Sequence, residues 1–127
     1  NRGYGTVVEL SPLKIDAEIY PEEGSNRLYV RSTISIGDNQ WYFITVTFTR
    51  ASLLRIYINA VFNTSTDISQ YKNYSVNTTY DLYIGGWGGT NTSANFLGYL
   101  DDVRIYNRAL SAGEIQYLYT KTQARYK

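Results

Sequence analysis

The chain has 127 residues, carries 12 lysines and arginines against 11 aspartates and glutamates, and contains neither histidine nor cysteine. This length allows one domain at most, and the even charge balance argues against nucleic acid, whose binders carry a concentrated basic patch. Without histidine and cysteine, the chain has no Ser-His-Asp or Cys-His catalysis, no disulfides and no thiolate metal site.

The composition and the first half of the chain predict β-strands. Fourteen tyrosines and only two prolines are typical of a β-rich protein, and no apolar run is long enough to span a membrane. Period-2 alternation predicts strands at 6–10, 14–20 and 28–36. In the strand 14–20 we expect the core face to hold Ile15, Ala17 and Ile19, and the solvent face to hold Lys14, Asp16, Glu18 and Tyr20.

The middle of the chain predicts a hairpin of two strands, 41–50 and 54–60. Each strand has an apolar face, formed by Tyr42, Ile44, Val46 and Phe48 in one and by Leu54, Ile56 and Ile58 in the other. The polar stretch 61–80 predicts a long functional or glycosylated loop, with at most a weak edge strand inside it.

The last third of the chain predicts two strands, a loop and a helix. Residues 81–85 are expected to form a short strand, 86–95 a loop that carries Trp87, and a final strand is expected to start at Phe96. In that strand Val103 and Ile105 alternate with polar residues. Ser111 precedes Glu114 by three residues, which is the spacing of a helix capping box. We therefore predict a short terminal helix that packs on a sheet through Ile115, Leu118 and Tyr119.

The string 98–119, which contains Gly-Tyr-Leu-Asp-Asp and Asn-Arg-Ala-Leu-Ser-Ala-Gly-Glu-Ile, resembles the C-terminal signature of the laminin-G-like, concanavalin A-like jelly-roll family. Two further pieces are similar to that family in the same order, namely 41–48 with 54–59, and 82–86. The resemblance implies an all-β, antiparallel two-sheet jelly-roll sandwich with a short C-terminal helix.

The resemblance also implies strands that this sequence does not supply. Family members generally have further N-terminal strands before the position of Val7. We therefore expect residues 1–127 to form a single domain that lacks N-terminal strands or is the C-terminal part of a larger chain. Another segment or another copy would then supply the missing strands.

Some jelly-roll glucanases carry Glu-x-Asp-x-Glu on one strand, which places carboxylates on one face beside a glycosidic bond. The nearest string here is Lys14-Ile15-Asp16-Ala17-Glu18, in which lysine replaces the first carboxylate. We expect no enzymatic activity and interpret Asp16 and Glu18 as part of a solvated strand face of mixed charge.

In the family that the chain resembles, ligands lie at loops along one rim of the sandwich, which here corresponds to 61–80 and 86–95. Trp87 and Tyr83 could stack on sugar rings, while Asn91, Asn95 and Asp67 could supply hydrogen bonds. The alternative is that Trp87 covers the end of the core and that the asparagines shape turns.

Asp101 and Asp102 raise the question of calcium, for which the sequence offers no loop with six or more oxygen ligands. Adjacent strand residues also point to opposite faces. We expect no cofactor, although calcium stays open, and a structural role in which one aspartate pairs with backbone amides, Arg104 or Arg108.

Four sequons lie inside the two predicted loops, at Asn63, Asn73, Asn77 and Asn91. Glycans there would place the protein outside the cell or on a virion surface, and at Asn91 glycosylation would compete with ligand binding.

Two functional hypotheses follow. The first is a non-catalytic extracellular recognition module, which binds glycans or a surface protein through the loop rim. The second is a glycosylated structural component of a filament, envelope or virion, whose strand edges pair with neighbouring copies.

Overall fold

In the computed structural model two three-stranded antiparallel sheets are present, and the structure describes residues 3–10, 13–20, 28–73, 75, 77, 81–86 and 95–126. The first sheet has the order β1-β2-β3 and the second the order β4-β5-β6. The strands are β1 (Gly3–Leu10), β2 (Leu13–Tyr20), β3 (Leu28–Arg31), β4 (Ile44–Phe48), β5 (Leu53–Ile58) and β6 (Val61–Asp67). A 3-10 turn (Ser69–Tyr71) follows β6, and the chain continues to helix α1 (Ala112–Thr122) and a final 3-10 turn (Gln123–Tyr126).

One apolar core lies between the two sheets. Both sheets contribute buried side chains to it: Ile15, Ala17, Ile19 and Val30 from the first, and Leu54, Ile56 and Ile58 from the second, with Ile68 beyond β6. Tyr42, Ile44, Val46 and Phe48 pack against this cluster. The apolar faces predicted for the strand 14–20 and for the hairpin are therefore confirmed.

Residues 61–67 form strand β6 at the edge of the second sheet, so the edge strand that the sequence left open within 61–80 is present. Strands β5 and β6 are joined by a two-residue turn at Asn59 and Ala60, whose φ values are 52° and 65°. Positive φ at both central residues is the geometry of a type I′ turn, which matches the twist of a hairpin. The sequence signal was weak because alanine occupies a position where glycine is usual.

Strand β3 ends at Arg31, five residues earlier than the alternation predicts. The hydroxyl of Ser32 accepts a hydrogen bond from the backbone N–H of Ile15 (3.1 Å) and donates to the carbonyl of Ile34 (2.7 Å). The hydroxyl takes the place of a backbone carbonyl opposite Ile15, although the backbone N–H of Ser32 still donates to the Ile15 carbonyl at 2.8 Å. Ile34 is exposed instead of facing the core.

The strands predicted at 81–85 and from Phe96 onward are not present in the described ranges 81–86 and 95–110. Gly85 and Asp102 have left-handed φ values of 76° and 51°, which interrupt an extended backbone. The apolar side chains of the second segment are exposed; we call them the apolar strip, and they are Leu97, Tyr99, Leu100, Val103, Ile105 and Tyr106. A strand needs a neighbouring strand for its backbone hydrogen bonds, and none pairs with this segment within the described chain.

Helix α1 begins with both hydrogen bonds of a capping box. The Ser111 hydroxyl accepts from the backbone N–H of Glu114 (3.3 Å), and the Glu114 carboxylate accepts from the backbone N–H of Ser111 (2.8 Å). Arg108 also pairs with Glu114 through two nitrogens. On the helix, the ring of Tyr119 lies 5.8 Å from that of Phe43, the residue before β4, and Ile115 is buried.

Acidification is expected to loosen the start of helix α1. The Arg108 guanidinium, followed by the backbone and hydroxyl of Ser111, lowers the pKa of Glu114 from 4.5 to about 2. Because the folded pKa is the lower one, the contribution of Glu114 is fully present above about pH 4.5 and is lost as the pH falls toward 2. Helical circular dichroism should decrease through this window, and less so in Glu114→Gln. The prediction would be contradicted if helical circular dichroism of wild type and of Glu114→Gln fell equally with pH.

Candidate functional site

The loop 86–95 is closed at its base. The backbone N–H of Phe96 donates to the carbonyl of Gly85 at 2.8 Å, and Gly85 has the left-handed φ that favours glycine. The Asn95 side-chain oxygen lies so close to Gly86 that a Cβ there would be 2.7 Å from it. These contacts fix where the loop leaves and rejoins the fold. Residues 87–94, and with them Trp87 and Asn91, lie outside the described residues.

Of the predicted ligand residues, Tyr83 and Asn95 lie beside this base. Tyr83 is two residues before Gly85 and is 49% exposed, so part of its ring is free to contact a ligand. Asn95 is exposed and is the last residue of the loop. Sequence proximity and the Phe96–Gly85 bond thus bring these two side chains to one region of the surface.

Asp67, the remaining predicted ligand residue among those described, forms its hydrogen bond elsewhere. It ends β6, where its Oδ1 accepts from the backbone N–H of Ser69 at 2.7 Å, and this bond lowers the pKa of Asp67. No hydrogen bond among the described residues joins Asp67 to Tyr83 or Asn95. The carboxylate is therefore committed to the turn that follows β6.

The sequon asparagines differ in their surroundings. Asn63 lies in β6, where its side-chain oxygen accepts from the backbone N–H of Thr33 (2.8 Å) and its nitrogen donates to the Thr33 hydroxyl (3.0 Å). A glycan on that nitrogen would disturb the second bond. Asn73 and Asn77 are exposed, so they are the more accessible acceptors among those described.

The carboxylates of β2 are buried, so the prediction of a solvated face at Asp16 and Glu18 is wrong. Asp16 is 0% exposed and Glu18 only 4%. The Arg31 guanidinium, from the neighbouring strand β3, donates to both oxygens of Asp16 at 2.9 and 2.8 Å. The Tyr20 hydroxyl donates to Glu18 at 3.1 Å. A buried charge is stable when it is paired with an opposite charge. No local motif in the sequence links Arg31 to Asp16.

The Asp101-Asp102 pair connects the apolar strip with the chain's C-terminal turn. Asp101 accepts from the backbone N–H of Asp102 and from the Tyr126 hydroxyl, both at 2.7 Å. Asp102 pairs with Arg104 at 3.3 Å and Arg125 at 3.2 Å. Tyr126 and the backbone amide lower the pKa of Asp101. Arg108, the other predicted partner, binds Glu114 instead.

Metal and membrane features are absent from the described part of the chain. No group of three acidic side chains there comes together as a metal site, and no helix there has the length and apolar character needed to cross a bilayer.

Sequence reasoning overlooked a group of rings that we call the aromatic cluster: Trp41, Tyr99 and Tyr126. The ring of Trp41 lies 4.6 Å from that of Tyr126 and 6.5 Å from that of Tyr99, measured between centroids. These residues come from the approach to β4, the apolar strip and the C-terminal turn. Residues so distant along the chain form no motif, so only the fold could bring them together.

Comparisons with known proteins agree with the architecture. No curated protein matches the chain. A crystal structure of an S-layer domain-containing protein from Clostridium thermocellum is similar in fold, with a TM-score of 0.52 and 22% sequence identity. The similarity covers 94% of this chain and 64% of that one, so this chain spans less than two thirds of its length.

The family comparison covers most of the chain and agrees with the resemblance carried by residues 98–119. The profile of the concanavalin A-like lectin/glucanases superfamily, of laminin-G type, matches residues 3–116. The chain therefore belongs to the concanavalin A-like lectin/glucanase superfamily.

Proposed function

We propose that this chain is a non-catalytic recognition domain of a cell or virion surface, which binds glycans or a surface protein through the loop 86–95 and Tyr83. The observation that carries the proposal is the closed base of that loop. A loop anchored by the Phe96–Gly85 hydrogen bond can present variable side chains from a fixed position. Trp87, directly after Gly86, is the proposed stacking residue, and Asn91 and Asn95 the hydrogen-bonding ones.

Two observations support a binding role over glycoside hydrolysis. Glycosidases use two carboxyl groups in a cleft, one of which must exchange protons. The only carboxylates on β2 are buried, and both oxygens of Asp16 are already held by Arg31. The Asp16–Arg31 pair joins β2 to β3, and the buried Asp16 carboxylate is shielded from a substrate.

The surface location is supported by accessible sequons and by the name of the similar structure. Asn73 and Asn77 are exposed acceptors, and the similar crystal structure is that of an S-layer domain-containing protein. Intact-mass and peptide mapping of the protein from its natural source would test this location. Hexose on Asn73 or Asn77 is the expected result, and bare asparagines at both would remove this support.

Ligand binding is tested on a glycan array with wild type, Trp87→Ala and Tyr83→Ala. Each replacement is expected to weaken binding about tenfold, since stacked aromatic groups contribute on the order of 1 kcal/mol beyond their buried area. Tyr117→Ala is the control, because Tyr117 is also an exposed tyrosine but lies on helix α1. Equal binding by all four proteins, or by none, would reject the loop as the glycan site.

A second function is favoured by the apolar strip. Leu97, Tyr99 and Val103 are exposed to an extent that is unusual for one short segment. A strand from a neighbouring copy or another segment could pair with 96–106 and complete a jelly-roll sandwich, as in strand addition. The protein would then be a structural component of a surface layer or filament. Light scattering should show concentration-dependent oligomers that Val103→Lys abolishes and Tyr117→Lys does not, and a monomer at all concentrations would exclude self-assembly.

A further inference from the structure

We propose that the aromatic cluster, together with Asp101 and Arg125, is a second carbohydrate-binding surface, suited to the pyranose rings of an oligosaccharide. This inference deepens the proposed function, on which it rests for the class of ligand, and it locates binding at residues outside the loop 86–95.

The rings of the cluster lie against one another and remain partly exposed to solvent. Trp41 contacts Tyr126 at 4.6 Å and still has 44% of its surface exposed, while Tyr99 is 86% exposed. Tyr99 therefore has no role in the core. Exposed Trp and Tyr rings offer a large, rigid contact area at little cost in side-chain entropy. Such a surface fits the C–H face of a sugar.

Polar groups border these rings. Asp101 accepts two hydrogen bonds, one from Tyr126 and one from the backbone of Asp102, whereas an ionised carboxylate offers about four lone-pair sites. The remaining sites can accept from sugar hydroxyls. Arg125 donates to Asp102 through one of its five N–H groups, which leaves donors for sugar oxygens. Sugar hydroxyls thus meet both acceptors and donors.

The backbone at the border turns at Asp102, in a left-handed conformation that aspartate tolerates. Asp102 has a φ of 51°, and its side chain is bound by both Arg104 and Arg125. Asp101 itself is held by the backbone N–H of Asp102 and by the Tyr126 hydroxyl, so its carboxylate is in position before a ligand arrives.

A glycan suits this surface better than a protein does. Protein interfaces are depleted of aspartate, yet Asp101 and Asp102 both accept from the hydroxyl of Tyr126, a ring of the cluster. Flat rings bordered by ionised hydrogen-bonding groups match a ligand that alternates C–H faces with hydroxyls.

Two variants with one tryptophan each separate this site from the loop. Trp87→Phe leaves Trp41 as the only indole reporter, and Trp41→Phe leaves Trp87. Each protein is titrated with glucose, galactose and N-acetylglucosamine oligosaccharides of two to six units, while emission is recorded. We expect a saturable change of Trp41 emission in the Trp87→Phe protein. A response in the Trp41→Phe protein belongs to the loop site, so either proposal can fail without the other.

Adding Tyr99→Ala to Trp87→Phe should lower the affinity for the oligosaccharide about tenfold. Adding Asp101→Asn should also lower the affinity, although it removes no ring. Adding Tyr117→Ala, an exposed tyrosine on α1, should leave it unchanged. The proposal is overturned if Trp41 emission responds to none of the sugars, or if Tyr99→Ala and Tyr117→Ala bind equally. Emission that depends on protein concentration without sugar would also overturn it, because the rings would then be an interface between copies.

Discussion

Replacing Arg31 by methionine is expected to lower the free energy of unfolding by about 3–5 kcal/mol, which is the cost of leaving a buried charge without its partner. Asp16 is fully buried and receives both of its side-chain hydrogen bonds from Arg31. Methionine preserves most of the side-chain volume, so the loss is electrostatic. Small domains have only about 5–15 kcal/mol of stability, and the urea midpoint should therefore fall markedly.

Arg108→Met is the matched control for this experiment. Arg108 also holds a carboxylate, that of Glu114, through two nitrogens, but this pair lies on the surface, where solvent screens the charges. The urea midpoint of Arg108→Met should therefore differ little from that of wild type. The double variant Arg31→Met with Asp16→Asn should recover part of the lost stability, because it removes the unpaired charge. Equal losses for Arg31→Met and Arg108→Met would contradict the assignment of Asp16 to a buried pair.

Ile56→Ala is expected to cost about 2–5 kcal/mol of unfolding free energy, since removing three carbons from a packed core loses burial and leaves a cavity. Ile56 is 0% exposed in the central strand of the second sheet, and Leu54 and Ile58 belong to the same cluster. Differential scanning calorimetry or urea unfolding measures the loss.

Val61→Ala provides the comparison, because Val61 lies on the edge strand β6 and is 67% exposed. Its unfolding free energy should stay within about 0.5 kcal/mol of wild type. A conservative Ile56→Val should lose about 0.5–1.5 kcal/mol and so fall between the two. Unfolding midpoints that do not follow this order would show that the cluster around Ile56 is not the main core.

Period-2 alternation predicted the faces that form the core, because a sheet residue is buried or exposed according to the parity of its position. Ile15 and Ile56 are clear cases. The same rule failed for Asp16, whose burial depends on Arg31, a residue 15 positions away. Local patterns cannot show which charge will find a partner across a sheet.

The chain's last third was predicted less well for a related reason. Val103 and Ile105 have the alternation and side chains of a strand, yet strand formation also needs a neighbour with free backbone groups. Within the described residues that neighbour is missing, and Asp102 turns the backbone instead. The capping box at Ser111 and Glu114 was predictable because its two partners are three residues apart. The candidate sites depend on the fold in the same way: the Phe96–Gly85 bond brings Tyr83 and Asn95 to one region, and Trp41 and Tyr99 meet although they are far apart in sequence.

The hydrogen bond between Phe96 and Gly85 has a consequence for how this domain could diversify. Since the bond fixes both ends of the intervening loop, insertions between them leave the two sheets untouched, and doubling a loop's length costs only about 0.6 kcal/mol. Under the proposed binding role, related genes could exchange this short stretch as a cassette and so change the ligand while the scaffold stays the same. The same property makes it a natural place to graft randomised peptides for selection experiments.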